Sequence, residues 1–278
     1  MIEPLPPGLY IVATPIGNLG DITFRAAELL CQADLVLAED KRVSSRLLAH
    51  VGARVPMRTY NDHSDSAERA AIIERLGQEA IALISDAGTP LISDPGYKLV
   101  RDARAAGHSV VTLPGPCAAI AALTLAGLPT DRFLFLGFLP PKEKARADVI
   151  GEVAAIRATL VLYESGPRLA ATLATLAAGL GERDAAVARE LTKLHEECVT
   201  GTLADLAGHY ADAPPKGEIV IVIAPPVPSA VPNADDVDEA LKVALEAGES
   251  PSRAAAAVAE RLGVKRKIVY ERALELRR

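Results

Sequence analysis

Tryptophan is absent from this sequence and phenylalanine occurs four times, so its core is not built around large rings. Half of the residues are nevertheless apolar, mostly Ala, Val, Leu and Ile, which suits buried parallel strands and close-packed helices. Cysteine is scarce as well. Cys31, Cys117 and Cys198 lie far apart, cannot all pair and show no C-x-x-C spacing, so neither a disulfide framework nor a zinc site is expected, and a reducing cytoplasm fits. His195 has Glu196 and Glu197 beside it but no second histidine at metal-ligand spacing, and is read as a surface histidine with no metal. The opening MIEPLPPGLY has neither a basic nor an apolar leader region, so secretion is not expected. Residues 105–130 carry no Asp, Glu, Lys or Arg, as a membrane span would, but His108, Pro114, Gly115 and Pro116 interrupt them. Strand, turn and helix are expected there, and no membrane partner. Positive charge is also in deficit. A formal net charge of −6 excludes a generally basic nucleic-acid coat protein, although residues 264–278 hold six Lys or Arg against two Glu.

What is present is a chain of 278 residues, more than one ordinary core occupies, so two domains and a small appendage are expected. Short apolar runs at 9–14, 33–38, 81–85 and 109–113 alternate with helical text, one helix starting with Asp21 as its N-cap. Such alternation implies right-handed crossovers and a mainly parallel sheet. A second set of strands is expected at 133–138, 159–163, 185–189 and 218–223. The boundaries are then 1–120 and 121–226 for two α/β domains, 227–234 for a proline-rich linker and 235–278 for a helical tail. Within the tail, helices are expected at 235–246, 251–262 and 264–276, with Ser250 as N-cap ahead of Pro251.

Three loops stand at the ends of the first-domain strands. Thr14-Pro15-Ile16-Gly17-Asn18-Leu19-Gly20 lacks both G-x-G-x-x-G and a P-loop lysine, and reads equally well as a tight turn or as an anion- or polar-group site. Residues 85–96, SDAGTPLISDPG, pack two Asp, two Pro and two Gly into twelve positions, more turn-formers than a turn needs, which indicates a rigid ligand cradle. Pro114-Gly115-Pro116-Cys117-Ala118-Ala119 opens a helix of small residues that lets a ligand approach the backbone. All three would converge on one sheet edge.

TPIGNLGD, AEDKR, SDAGTPLISDPG, PGPCAAIAAL, FLPPK, YES, RELTKLHEE and GEIVIVI, in this order over residues 9–224, resemble the small-subunit ribosomal RNA methyltransferase branch of the tetrapyrrole methylase superfamily. The tail resembles that branch's helix-turn-helix extension. Two positions depart from the pattern: Lys41 stands where Thr is usual, and Gly166-Pro167 where Pro-His is usual. The resemblance implies two α/β/α domains with a ligand cleft between them, S-adenosylmethionine folded in that cleft, and a homodimer. Carried onto matching positions, it places Pro15 in the first loop and Gly88, Thr89, Pro90 and Ile92 in the cradle. Cys117 and Ala118, then Tyr163 and Glu164, then Ala188 and Gly217 would complete the cofactor site. The implied substrate is a cytidine ribose 2′-hydroxyl in the decoding centre of 16S rRNA, met as RNA or as the assembled small subunit.

Methyl transfer from a sulfonium is an in-line displacement in which orientation is worth up to ~7–11 kcal/mol, with no metal required. A ribose hydroxyl needs a proton acceptor. Glu39, Asp40, Asp86 and Glu190 are candidates, with Glu39 or Asp40 favoured, while Asp40 reads equally well as a helix cap. Lys41, Arg42, Arg46, Lys142, Lys144, Arg146, Arg168, Arg189 and Lys193 stand near the expected cleft and are candidates for RNA phosphates. Lys265, Arg266, Lys267 and Arg272 would face phosphate if the tail reads nucleic acid, and would be surface charges if it is a structural cap. The alternatives are a sibling methylase of a precorrin- or diphthine-like substrate, which needs neither basic loop nor tail, and a ligand-sensing regulator, which would bind cofactor without turnover.

Overall fold

Strands that are apolar at every residue have to be covered on both faces. In the computed structural model, which describes residues 4–61, 66–226 and 234–276, the strands at 8–12, 35–38 and 80–83 meet that condition. β1 (Gly8–Val12), β2 (Leu35–Ala38), β3 (Met57–Thr59), β4 (Ala80–Leu83) and β5 (Val110–Leu113) form an all-parallel sheet in the order β3-β2-β4-β1-β5. Alternate residues point to opposite sides. Tyr10, Val12, Val36, Ala38 and Ala82 pack with the apolar stripes of α1 (Phe24–Gln32) and α2 (Lys41–Val51). Leu9, Ile11, Leu37, Ile81 and Leu83 meet α3 (Ser66–Arg75) and α4 (Tyr97–Ala105) on the other. Because β4, β1 and β5 are neighbours, the loops at their carboxyl ends stand side by side, the geometry in which α/β sheets hold ligands.

Two local expectations are corrected. α1 begins after Thr23, whose hydroxyl accepts a hydrogen bond from the Ala26 amide at 3.1 Å, and Asp21 lies in a preceding 3₁₀ turn capped by Asn18. β3 was not expected, since its three residues, Met-Arg-Thr, are at most half-buried and carry no apolar run.

The second sheet is mixed. β6 (Phe133–Phe138), β7 (Thr159–Ser165), β8 (Asp184–Arg189), β9 (Glu197–Thr202) and β10 (Glu218–Ile223) stand in the order β6-β7-β10-β8-β9, with only β6 and β7 parallel among the described pairs. Leu160, Leu162, Val187, Ile219 and Ile221 face α6 (Glu143–Val153), α7 (Gly166–Leu180) and α8 (Leu203–His209). Val161, Ala186, Ala188, Val220 and Val222 face α5 (Ala118–Leu125), joined by Ile16 from the loop after β1. The expected boundary between residues 120 and 121 therefore falls inside α5, whose small residues Ala119 and Ala122 seat it on the second sheet. Residues 1–226 form one compact unit.

The tail is a second unit with its own core. α9 (Ala234–Glu246), α10 (Pro251–Leu262) and α11 (Arg266–Leu276) enclose Leu241, Ala254, Ala255, Val258, Val269 and Ala273. Ser250 caps α10 by accepting from the Arg253 amide at 3.4 Å, with Pro251 in the first turn. Arg272 pairs with Asp238 on α9 at 2.5 Å and with Glu275 at 2.6 Å, so this arginine is committed within the tail rather than offered to phosphate. Residues 227–233 of the expected linker lie outside the described residues. Among the described residues no helix is long and apolar enough to cross a membrane.

Gly166 opens α7 with the Pro215 carbonyl oxygen 1.7 Å from where a Cβ would stand. The neighbour is backbone and cannot turn aside. Gly166→Ala is expected to destabilise the protein by about 1–3 kcal/mol, the usual range for overpacking, as a lowered denaturant midpoint at unchanged slope.

Candidate active site

The loops after β1, β4 and β5 are stitched together by their own backbone. Thr14 and Gly88 exchange amide-to-carbonyl hydrogen bonds of 2.8 and 3.1 Å, joining the first two. The Thr14 hydroxyl adds a bond to the Ser85 carbonyl at 3.2 Å. The Thr89 hydroxyl donates to the Pro116 carbonyl at 3.0 Å, joining the second loop to the third. Gly88 sits at φ +80° with the Ile16 side chain 3.2 Å from any added Cβ, so both its conformation and its surroundings require glycine.

Together with the second sheet these loops enclose a cavity of about 390 Å³, within the range of small-ligand sites. Gly88, Thr89, Ile92, Cys117 and Ala118 line it from the first sheet's edge, and Tyr163, Glu164 and Gly217 from the second. Pro15, Pro90 and Ala188 do not. Pro15 and Pro90 are buried beneath the loop surface and Ala188 lies against α5, while Ile16, Thr89 and Val220 present the wall instead.

The far wall has its own bracing. The Tyr163 hydroxyl, pushed up to about 12 chiefly by burial, accepts a hydrogen bond from the Ala119 amide at 3.3 Å. Its ring meets Phe138 edge-on at 5.5 Å, and Phe138 lines the cavity while remaining 58 % exposed. Glu164 is 2 % exposed, yet its carboxylate accepts from the Ser165 amide at 2.8 Å and the Thr172 hydroxyl at 2.7 Å, and pairs with Arg168 at 3.2 Å. It is structural. Arg168 also donates to the Leu139 carbonyl at 2.7 Å, which removes it from the expected RNA contacts.

After β8 the chain turns through Glu190 and Thr192, both in the left-handed region, and Glu190 pairs with Lys193 at 3.1 Å. The Glu190 carboxylate fills the space over Gly217 (φ +98°), where a Cβ would stand 2.0 Å from its oxygen. The Lys193 stem lies over Gly17 and lines the cavity, making it a wall residue rather than an outer phosphate contact. Across the cavity Leu91 and Ser93 are left-handed too. Among the described residues every non-glycine with positive φ lies in these two loops, and such strain collects where a site must be held rigid.

The favoured catalytic pair is not brought into the cavity. Asp40 caps α2, accepts from the Arg42 amide at 2.8 Å and pairs with the Arg42 guanidinium at 2.6 Å, which holds its carboxyl down to about 2. Glu39 is exposed and does not line the cavity. Asp86 and Glu190 do line it, and the Asp86 carboxylate accepts from the Asp40 amide at 3.0 Å. The carboxylate missed by the sequence reading is Asp94, also in the lining. Burial pushes its carboxyl up to about 6, against a hydrogen bond from Ser85, with Glu39, Asp86 and Glu218 adding negative charge. The signal was there: Asp94 is the second Asp of the cradle.

Of the other cations, Arg146 is 7 % exposed and bonded to the Thr175 hydroxyl at 3.2 Å, a core residue and not a phosphate ligand. Arg189 pairs with Glu197 across β8 and β9 at 2.5 Å. Lys41, Arg42, Arg46, Lys142 and Lys144 are exposed, and on the tail so are Lys265, Arg266 and Lys267. The described residues hold no cluster of metal-ligating side chains.

Residues 8–207 match the family model described as Tetrapyrrole (Corrin/Porphyrin) Methylases. The chain belongs to the tetrapyrrole methylase family. Residues 231–277 of this methylase match a second model, the RsmI C-terminal HTH domain. Ribosomal RNA small subunit methyltransferase I of Erythrobacter litoralis is 56% identical over 275 residues, covering 99% of this chain and 97% of the relative. The protein of the same name from Mesorhizobium japonicum is 49% identical over 278 residues, covering 99% and 94%. Among solved structures, cobalt precorrin-4 methyltransferase aligns at TM-score 0.59 with 18% identity over 81% of this chain and 98% of that one, and diphthine synthase at 0.60 with 17% identity over 78% and 89%. These two share the fold. The chain is thus a methyltransferase with the two-sheet tetrapyrrole methylase architecture and a helical C-terminal segment.

Removing the guanidinium by Arg42→Ala is expected to raise the Asp40 carboxyl toward its ordinary value, as ¹³C NMR of the carboxyl carbon would read. The sign for stability follows from the depressed value. The Asp40 contribution is complete above the ordinary carboxylate range and fades as pH falls toward about 2 in the parent, over a narrower span in the variant.

Proposed function

We propose that this chain transfers a methyl group from S-adenosylmethionine to a cytidine ribose 2′-hydroxyl in the decoding centre of 16S rRNA, in the cytoplasm and as a homodimer. The observation that carries this reading is likeness over the whole chain, tail included, to proteins named ribosomal RNA small subunit methyltransferase I. A precorrin methylase matched over 98% of its own length leaves about a fifth of this chain unmatched, as a segment serving a larger substrate would be.

The cavity fits the cofactor by the chemistry of its lining. Apolar surface from Ile16, Ile92, Ala118 and Val220 suits a nucleoside and a thioether chain, and the Gly88 backbone leaves room where a side chain would intrude. Asp86, Asp94, Glu190 and Glu218 outnumber Lys193 there, so the site favours a cation. When bound, S-adenosylmethionine supplies an electrophilic methyl group on a positively charged sulfur. Gly88, Thr89, Cys117 and Ala118 would hold it from one side and Tyr163 and Gly217 from the other, and the stitched loops keep that geometry fixed. The half-exposed Phe138 ring offers a stacking surface to an unpaired base, and exposed Arg42, Arg46, Lys142 and Lys144, with Lys265, Arg266 and Lys267 on the tail, offer phosphate contacts.

Ribose methylation mapped along small-subunit rRNA is expected to lose one cytidine signal when this protein is deleted and regain it on complementation. An unchanged map, or transfer confined to small tetrapyrroles, would overturn the reading. Gly88→Val is expected to abolish calorimetric binding of S-adenosylmethionine, because the branched side chain would press on Ile16 in a backbone conformation it rarely adopts.

A further inference from the structure

A hydroxyl that becomes a methyl ether must lose its proton, and the cavity holds several carboxylates that differ in what already occupies them. Glu164 is buried and fully bonded by Ser165, Thr172 and Arg168. Glu190 is held by Lys193 against Gly217. The Asp86 carboxylate accepts the Asp40 amide, and Asp40 itself is turned to Arg42 outside the lining. Asp94 differs from all of these. Among the described residues neither a lysine or arginine nor a backbone amide bonds to its carboxylate, and, unlike the exposed Glu218 that also lines the cavity, it is half-buried. It is delivered to the cavity by a segment whose two preceding left-handed residues, Leu91 and Ser93, leave little freedom in its direction.

We propose that Asp94 accepts the proton of the substrate hydroxyl during methyl transfer, an inference that rests on reading the site as one that methylates a hydroxyl. The hydroxyl oxygen forms its new bond to the methyl carbon as its O–H bond breaks, the proton passes to the Asp94 carboxylate, and the electron pair of the broken carbon–sulfur bond stays on sulfur. Charge balances, since a cationic donor and a carboxylate become a neutral thioether and a carboxylic acid. The surroundings set the basicity. Burial and the negative charges of Glu39, Asp86 and Glu218 raise the proton affinity of Asp94, the Ser85 hydroxyl opposes them, and Tyr163 feels the Asp94 charge from the facing strand. A carboxyl poised at about 6 is ionised at neutral pH yet a far better acceptor than Asp40.

The test compares wild type, Asp94→Asn and Asp94→Glu on small ribosomal subunits. Asp94→Asn is expected to lower kcat by about 10²–10⁴-fold, the usual worth of a positioned acid or base. Calorimetric binding of S-adenosylmethionine is expected to persist. Wild type should show an acid limb in kcat/KM with a midpoint near 6, absent in Asp94→Asn and regained at reduced rate in Asp94→Glu. A readout independent of activity is stability. Because folding raises this carboxyl, its favourable contribution is present below the unfolded value and lost as pH rises through about 6. Asp94→Asn should therefore be more stable relative to wild type at about pH 8 than at about pH 4. Wild type that leaves RNA unmethylated overturns the parent reading and this inference together. Wild type that methylates RNA, beside an Asp94→Asn variant that keeps its rate and its acid limb, overturns this inference alone. Loss of cofactor binding in Asp94→Asn would make the residue a cofactor ligand and also overturn it.

Discussion

The site depends on one arrangement of strands. In a parallel sheet every carboxyl end points the same way, and placing β4 and β5 on either side of β1 forces the loops of three adjacent strands into contact. The Thr14–Gly88 amide exchange and the Thr89–Pro116 bond convert that proximity into a single rigid wall. Without them the loops would carry unpaired backbone groups next to an apolar cavity, which is costly. Glycine at 88 is what allows the exchange, because its left-handed conformation turns both amide and carbonyl toward Thr14.

The opposite wall obeys a different constraint. Its strands carry Tyr163, Glu164 and Val220 within a mixed sheet, and the loop after β8 is strained in the same skipped pattern as the cradle, at Glu190 and Thr192. Ile92 stands between two left-handed residues in one loop and Leu191 between two in the other, and both side chains line the cavity. The two halves thus use a common backbone device to aim apolar side chains inward and to hold acidic ones, Asp94 and Glu190, beside them.

Legibility in the sequence followed physical strength. The buried strands were readable because unbroken apolar runs such as LVLA and IVIVI suit little except a strand covered on both faces, and the three loops because Gly and Pro have few uses. β9 was not readable, since ECVTGT mixes polar and apolar residues on a half-exposed edge, and β3 was too short. Charges were the least legible feature. Arg146, Arg168 and Arg272 look in sequence like Lys142 or Arg46, yet the fold supplies them with Thr175, Glu164 and Asp238. Likewise Asp40 and Asp94 are both acids in loops after strands; a neighbouring guanidinium makes one a poor base, and burial makes the other a good one. Partners decide chemistry: Thr175 and Asp238 stand far along the chain from the arginines they hold, whereas Arg42 and Glu164 lie within four residues of their partners, so only the first two pairings are invisible in sequence.

The position of α5 has a genetic consequence. This helix follows directly from the first sheet's last loop, but its alanine face is the lid on one side of the second sheet. A crossover that exchanged the first 120 codons with those of a distant paralogue would split the helix and leave the valine-lined face of the second sheet without its fitted cover. Shuffling between such genes is therefore tolerated only at joints that keep the helix and the strands beneath it in one inherited block.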